Sequence, residues 1–149
     1  MTAERSPESP PARRPARRNY ALLAEALAAV AAASAAIKTA PFKRVARIAS
    51  RRPSRPRLAE PGEVLALRRA VETWARRAPW RVVCFQQGLA LQMLLRRRGI
   101  ASTLHYGIAQ EDALKAHVWV SVAGETAIGG EEAPRFTEIA CFPPHGDGA

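Results

Sequence analysis

A chain of 149 residues with 48% hydrophobic composition is long enough for one domain with a substantial core and too apolar to be disordered throughout. Its formal net charge is +10, and the placement says more than the total: residues 1–57 carry 13 Lys/Arg against 3 Asp/Glu, whereas residues 58–149 carry ten of each. The two cysteines, Cys84 and Cys141, follow no charged-then-apolar secretion signal, so both are expected as free thiols in a cytoplasmic chain rather than as a disulfide.

Residues 1–18, with the run RSPESPPARRPARR, mix proline and arginine and read as a disordered basic arm. Such an arm can meet nucleic acid, an anionic membrane or an acidic protein. No aromatic residues interleave its arginines, which weakens a single-strand nucleic-acid reading. Region 19–57 reads as helical and basic. Tyr20–Ile37 is an Ala-rich helix almost long enough to cross a bilayer, but Glu25 lies inside it and alanine drives insertion weakly. A soluble helical pair is therefore favoured over an anchor, with peripheral membrane contact left open. The second helix of the pair sets Lys38, Lys43, Arg44 and Arg47 around Phe42, Val45 and Ile48. Three prolines and a glycine then make residues 51–62 a linker.

From Glu63, the spacing of Val64, Leu67, Val71 and Trp74 predicts an amphipathic helix, with Arg68, Arg69, Glu72 and Arg76 on its other face. Pro79 breaks it. The next stretch, WRVVCFQQGLALQMLL over Trp80–Leu95, predicts a helix opening at Cys84 that buries Phe85, Leu89, Leu91, Leu94 and Leu95. Arg96, Arg97 and Arg98 followed by Gly99 form a C-terminal stop, so the triplet is read as compensation of the helix dipole. From Ile100 the period becomes two, with Leu104, Tyr106 and Ile108 on one face and Thr103 and His105 on the other. A turn at QEDALK leads to a second strand that alternates Ala116, Val118, Val120 and Val122 with His117, Trp119 and Ser121. Gly124 turns the chain into a third short strand at Thr126–Ile128. Helices first and an antiparallel meander after them predict an α+β domain over 63–142, with 143–149 as a loose tail.

The chemistry rests on Cys84 and His117. A thiol at a helix start faces unpaired N–H groups and the positive end of the dipole, and both favour the thiolate. His117, 33 residues on, lies in a strand that can return over that helix start and serve as general base and acid. The helix N-terminus and the Cys84 backbone N–H can stabilise an oxyanion. Trp119 shares the His117 face and can shield the pair from water. From the residues alone, a lone cysteine in a Leu-rich helix is more often a small buried hydrophobe than a nucleophile. Cys84, Cys141, His105, His117 and His145 are potential metal donors, but their spacing fits no compact zinc pattern, so neither metal nor cofactor is expected. His105 is read as a strand-surface residue, Cys141 as core and His145 as part of the tail.

The segments CFQQGLALQMLLRRRGI and AHVWVSVAGETAIGG resemble the transglutaminase-like cysteine protease of lasso peptide biosynthesis, the B protein in its stand-alone form, over roughly Trp74–Ile139. PFKRVAR resembles the N-terminal part of such members. The resemblance implies a papain/transglutaminase-like fold and removal of the leader from a ribosomally made precursor, typically after a leader with threonine near its end. The freed amine then passes to an ATP-dependent cyclase that closes the macrolactam. It implies Cys84 as nucleophile and His117 as base. The family's usual aspartate falls on Gly129 here, which leaves Glu131 as a possible orienting group or the site as a Cys–His dyad. The chain is too short to add a leader-binding module, so a separate small leader-recognition protein is the expected partner. A transglutaminase or other acyltransferase would use the same thiol and imidazole. A non-enzymatic basic scaffold is the remaining alternative.

Overall fold

The computed structural model describes residues 17–145. The arm expected over 1–18 therefore lies almost wholly outside the described residues, as does the end of the tail at 146–149. Four helices come first: α1 (Arg17–Thr39), α2 (Phe42–Ala49), α3 (Glu63–Arg77) and α4 (Cys84–Arg97). Strands β1 (Thr103–Gln110), β2 (Leu114–Val122), β3 (Glu125–Ile128) and β4 (Thr137–Phe142) form one antiparallel sheet in the order β3-β2-β1-β4. The chain is thus α+β, as its change of period from helix to strand predicts.

α4 is the centre. Leu89, Ala90, Leu91, Leu94 and Leu95 are all buried, a pattern too wide for a surface helix and proper to one enclosed on several sides. α1 and α3 cover one side, through Ala26, Val30 and Ala33 and through Leu67 and Val71. The sheet covers the other. Gly88 lets it come close: a Cβ there would stand 3.0 Å from Val118 Cγ1. Each leucine fully enclosed in this way contributes about 1.5–3 kcal/mol of apolar burial.

α1 is the one described helix long and apolar enough to cross a membrane, and one side of it packs against α3 and α4. Trp74 Nε1 donates to the Leu23 carbonyl at 2.7 Å and Trp80 Nε1 to Ser34 Oγ at 3.0 Å. Two of the arginine triplet also bind it, a structural role added to their position at the C-terminal end of α4. Arg98 makes a two-pronged contact with Glu25, at 2.7 and 3.0 Å, and Arg97 Nε lies 3.2 Å from the same carboxylate. Arg96 Nη1 donates to the Ile48 carbonyl at the end of α2. The end of the central helix is therefore fastened to both N-terminal helices.

Two corrections concern the sheet. β4 is a fourth strand beyond the expected meander, paired to the free edge of β1 with a bulge at Tyr106/Gly107. Its alternating TEIACF offers only a weak signal, because an edge strand of intermediate exposure needs no strong apolar face. That strand covers His105, which is 8% exposed rather than superficial. Cys141 sits opposite His105 in register and is half-buried, not core. Neither cysteine is in a disulfide.

Candidate active site

Val83 has extended backbone and α4 begins at Cys84. Gln86, buried in the first turn, reaches back so that its Oε1 accepts the Val83 N–H at 2.7 Å, the half of a capping box that a Gln at the third helical position supplies. The first main-chain helical bond is Gln87 N–H to the Val83 carbonyl at 3.1 Å. The N–H groups of Cys84 and Phe85 precede it and have no partner within the helix. Cys84 is half-buried.

His117 comes from β2, on the face opposite Val118 and Val120, and is 9% exposed. Its Nε2 lies 2.8 Å from the Gly129 carbonyl oxygen. A carbonyl can only accept, so Nε2 carries the proton and the lone pair of the neutral ring is on Nδ1. The residue at the position where the resemblance places an aspartate thus holds the imidazole with its main chain. Gly129 adopts φ +76, and a Cβ there would stand 2.7 Å from the Val118 carbonyl oxygen.

Cys84 and His117 line the same cavity, of about 420 Å³, together with Gln87, Gly129, Glu131 and Arg76 among others. No hydrogen bond joins the thiol to the imidazole; the ring's bond goes to Gly129. Glu131 lines the cavity without being the group bonded to His117. Trp119 flanks His117 on the sheet face, with ring centres 6.1 Å apart and planes 22° apart, and it stacks more closely on His105, at 5.4 Å and 9°. It is not among the residues lining the cavity. Phe136 closes the imidazole from another side at 5.0 Å. A cavity of about 410 Å³ beyond the other end of α4, lined by Arg51, Arg52, Gln92 and Arg96 among others, holds neither thiol nor imidazole.

A family model described as transglutaminase-like superfamily matches residues 26–141, well over half of the chain. The chain belongs to the transglutaminase-like superfamily. That superfamily includes cysteine peptidases and transglutaminases and is commonly cysteine-dependent. No curated protein and no solved structure matches the chain. The matched stretch starts inside α1 and takes in α2, in keeping with the way α1 closes the core around α4.

Two groups in the cavity escaped the sequence reading. The Gly129 carbonyl is invisible there because every residue has one. Gln87, one helical turn past Cys84, carries a side-chain amide held by only a long 3.4 Å contact to the Val82 carbonyl. Its signal was available: a Gln three residues after a helix-opening cysteine projects from the same turn.

Proposed function

We propose that the chain is a cysteine peptidase that removes the leader from a ribosomally made lasso peptide precursor, acting in the cytoplasm with a separate leader-recognition protein and an ATP-dependent macrolactam cyclase. The observation that carries the chemical part is one cavity whose lining residues include a helix-opening cysteine and His117, whose Nε2 is committed to a carbonyl. The lasso peptide part is supported by the resemblance of CFQQGLALQMLLRRRGI and AHVWVSVAGETAIGG to that family.

In this reading His117 Nδ1 takes the Cys84 thiol proton as sulfur attacks the scissile carbonyl. The Gly129 carbonyl keeps the ring turned and steadies the imidazolium, the part a carboxylate plays in a triad. The oxyanion meets the free N–H groups of the first turn of α4, with the Gln87 amide as a further donor. His117 then gives its proton to the leaving amine. Water enters, loses a proton to Nδ1 and attacks the thioester; collapse returns the proton to sulfur and frees the leader acid. The released amine is the nucleophile the cyclase needs.

The test is mass spectrometry of a lasso peptide precursor incubated with the purified chain and its leader-recognition protein. Two fragments whose masses sum to precursor plus one water are expected, and none with Cys84→Ser. A product carrying an added amine instead would make the chain an acyltransferase. Cleavage that survives Cys84→Ser would end the cysteine reading.

A further inference from the structure

We propose that His105, Glu138 and His145 form a binding site for a divalent transition-metal ion, zinc by the chemistry of the donors, on the face of the sheet turned away from α4. His105 Nδ1 lies 2.9 Å from Glu138 Oε2, and His145 Nε2 lies 3.5 Å from Glu138 Oε1. One ligating atom from each of the three residues falls within 4.8 Å of the other two. A tetrahedral zinc ion with bonds of about 2.1 Å separates its ligand atoms by roughly 3.4 Å, and each imidazole stands near that distance from its own oxygen of the shared Glu138 carboxylate. Two imidazole nitrogens and one carboxylate oxygen suit zinc and leave a fourth position for water.

The support behind the first ligand is in place as well. His105 Nε2 is 2.8 Å from Ser121 Oγ on β2. Without an ion the carboxylate can only accept, so Nδ1–H donates to Glu138 and Nε2 accepts from the Ser121 hydroxyl. An ion replacing the Nδ1 proton would take that lone pair, with Nε2–H then donating to the hydroxyl as ligating histidines generally do. Trp119 stacked on His105 fixes the plane of the ring. The other two ligands face solvent, with 35% of the Glu138 and 71% of the His145 side chain exposed, so an ion has a path in.

The three residues come from β1, from β4 and from the segment after β4. A bound ion would therefore pin the edge strand, and the chain beyond it, to the middle of the sheet. Trp119 touches His105 on one side and His117 on the other. The clamp would in that way stiffen the wall behind the imidazole of the candidate active site. The inference does not depend on the reaction proposed there.

The experiment titrates the metal-stripped intact chain with Co²⁺ as a spectroscopic probe and follows thermal unfolding with and without Zn²⁺. One equivalent of Co²⁺ is expected to bind with a tetrahedral nitrogen/oxygen spectrum, and Zn²⁺ to raise Tm in proportion to ln[Zn²⁺] above its Kd. His145→Ala and Glu138→Gln each remove a ligand at a solvent-facing position. Each should weaken binding at least about tenfold while leaving the metal-free urea midpoint in place; Ser121→Ala should weaken it by about 10–100-fold at most. Absence of binding, a sulfur-to-cobalt charge-transfer band that places the ion on Cys84 or Cys141, or affinity unchanged by both ligand variants would each overturn the site.

Discussion

Replacing Gly129 by aspartate, the residue that the resemblance places there, is expected to weaken the fold rather than to complete a triad. At φ +76 any residue with a Cβ is in the left-handed region, which costs about 1–2 kcal/mol, least for Asp and Asn. A Cβ would also meet the Val118 carbonyl oxygen at 2.7 Å and Trp119 Cα at 3.2 Å. Those are backbone atoms of the strand that carries His117, so relief requires β2 to move, an overpacking cost of about 1–3 kcal/mol. Gly124 provides the control inside the same chain. It has φ +82 with nothing within 4 Å of a built Cβ, so Gly124→Ala carries the conformational cost alone. Urea unfolding of the native chain, Gly124→Ala, Gly129→Ala and Gly129→Asp separates the two effects. Both Gly129 variants should fall about 1–3 kcal/mol below Gly124→Ala, or several degrees in Tm at about 2–4 °C per kcal/mol for a chain of this length. Equal stability of the two alanine variants, or a Gly129→Asp chain as stable as the native one and faster at cleavage, would refute the steric argument.

Glu25 is held below its ordinary value of 4.5 by the hydrogen-bonded Arg98, with Arg97 adding to the effect against some desolvation. Since the folded chain holds this carboxyl low, its stabilisation is present above the ordinary value and is lost as pH falls through the folded one. Glu25→Gln should cost about 1–2 kcal/mol at pH 7, and the gap to the native chain should close in acid; a gap of constant size from pH 7 to pH 3 in urea titrations would contradict this. Gln87→Ala should lower kcat for precursor cleavage about 10²–10³-fold if its amide meets the oxyanion, and unchanged single-turnover rates would remove it from that role. Glu131→Gln should leave turnover within a few-fold, because the ring of His117 is bonded to the Gly129 carbonyl; a loss of several orders of magnitude would return Glu131 to the orienting position.

The helical half of the fold was readable because each helix states its buried face. Leu67 and Val71 on α3 and Leu89, Leu94 and Leu95 on α4 recur at helical spacing and are buried as that spacing demands. β2 was readable for the corresponding reason at period two: Val118 and Val120 face α4, while His117 and Trp119 share the other side. β4 was not, since TEIACF is decided by its partner β1 more than by its own pattern. The errors that followed share that origin. Without β4, His105 looks like a surface residue and Cys141 like core, and Glu138 has no visible relation to either histidine.

The same distinction separates the two clusters on this sheet. Cys84 and His117 each announce themselves because a cysteine opening a helix and a histidine inside a strand are locally unusual. The His105–Glu138–His145 cluster spans separations of 33 and 7 residues that match no compact metal pattern, and it exists only once the β4 register sets Glu138 against Gly107 beside His105. The bulge at Tyr106/Gly107 sets that register. By adding one residue to β4, it turns Glu138 to the His105 face; an unbulged ladder of the same residues would point it toward α4. Deleting Ile139, the residue left unpaired there, should therefore close the bulge and preserve Co²⁺ binding, because Ala140 stays opposite Tyr106 and Glu138 stays opposite Gly107 on the His105 face. A deletion chain that keeps its helical circular dichroism but no longer binds Co²⁺ would refute this account of how the register builds the cluster.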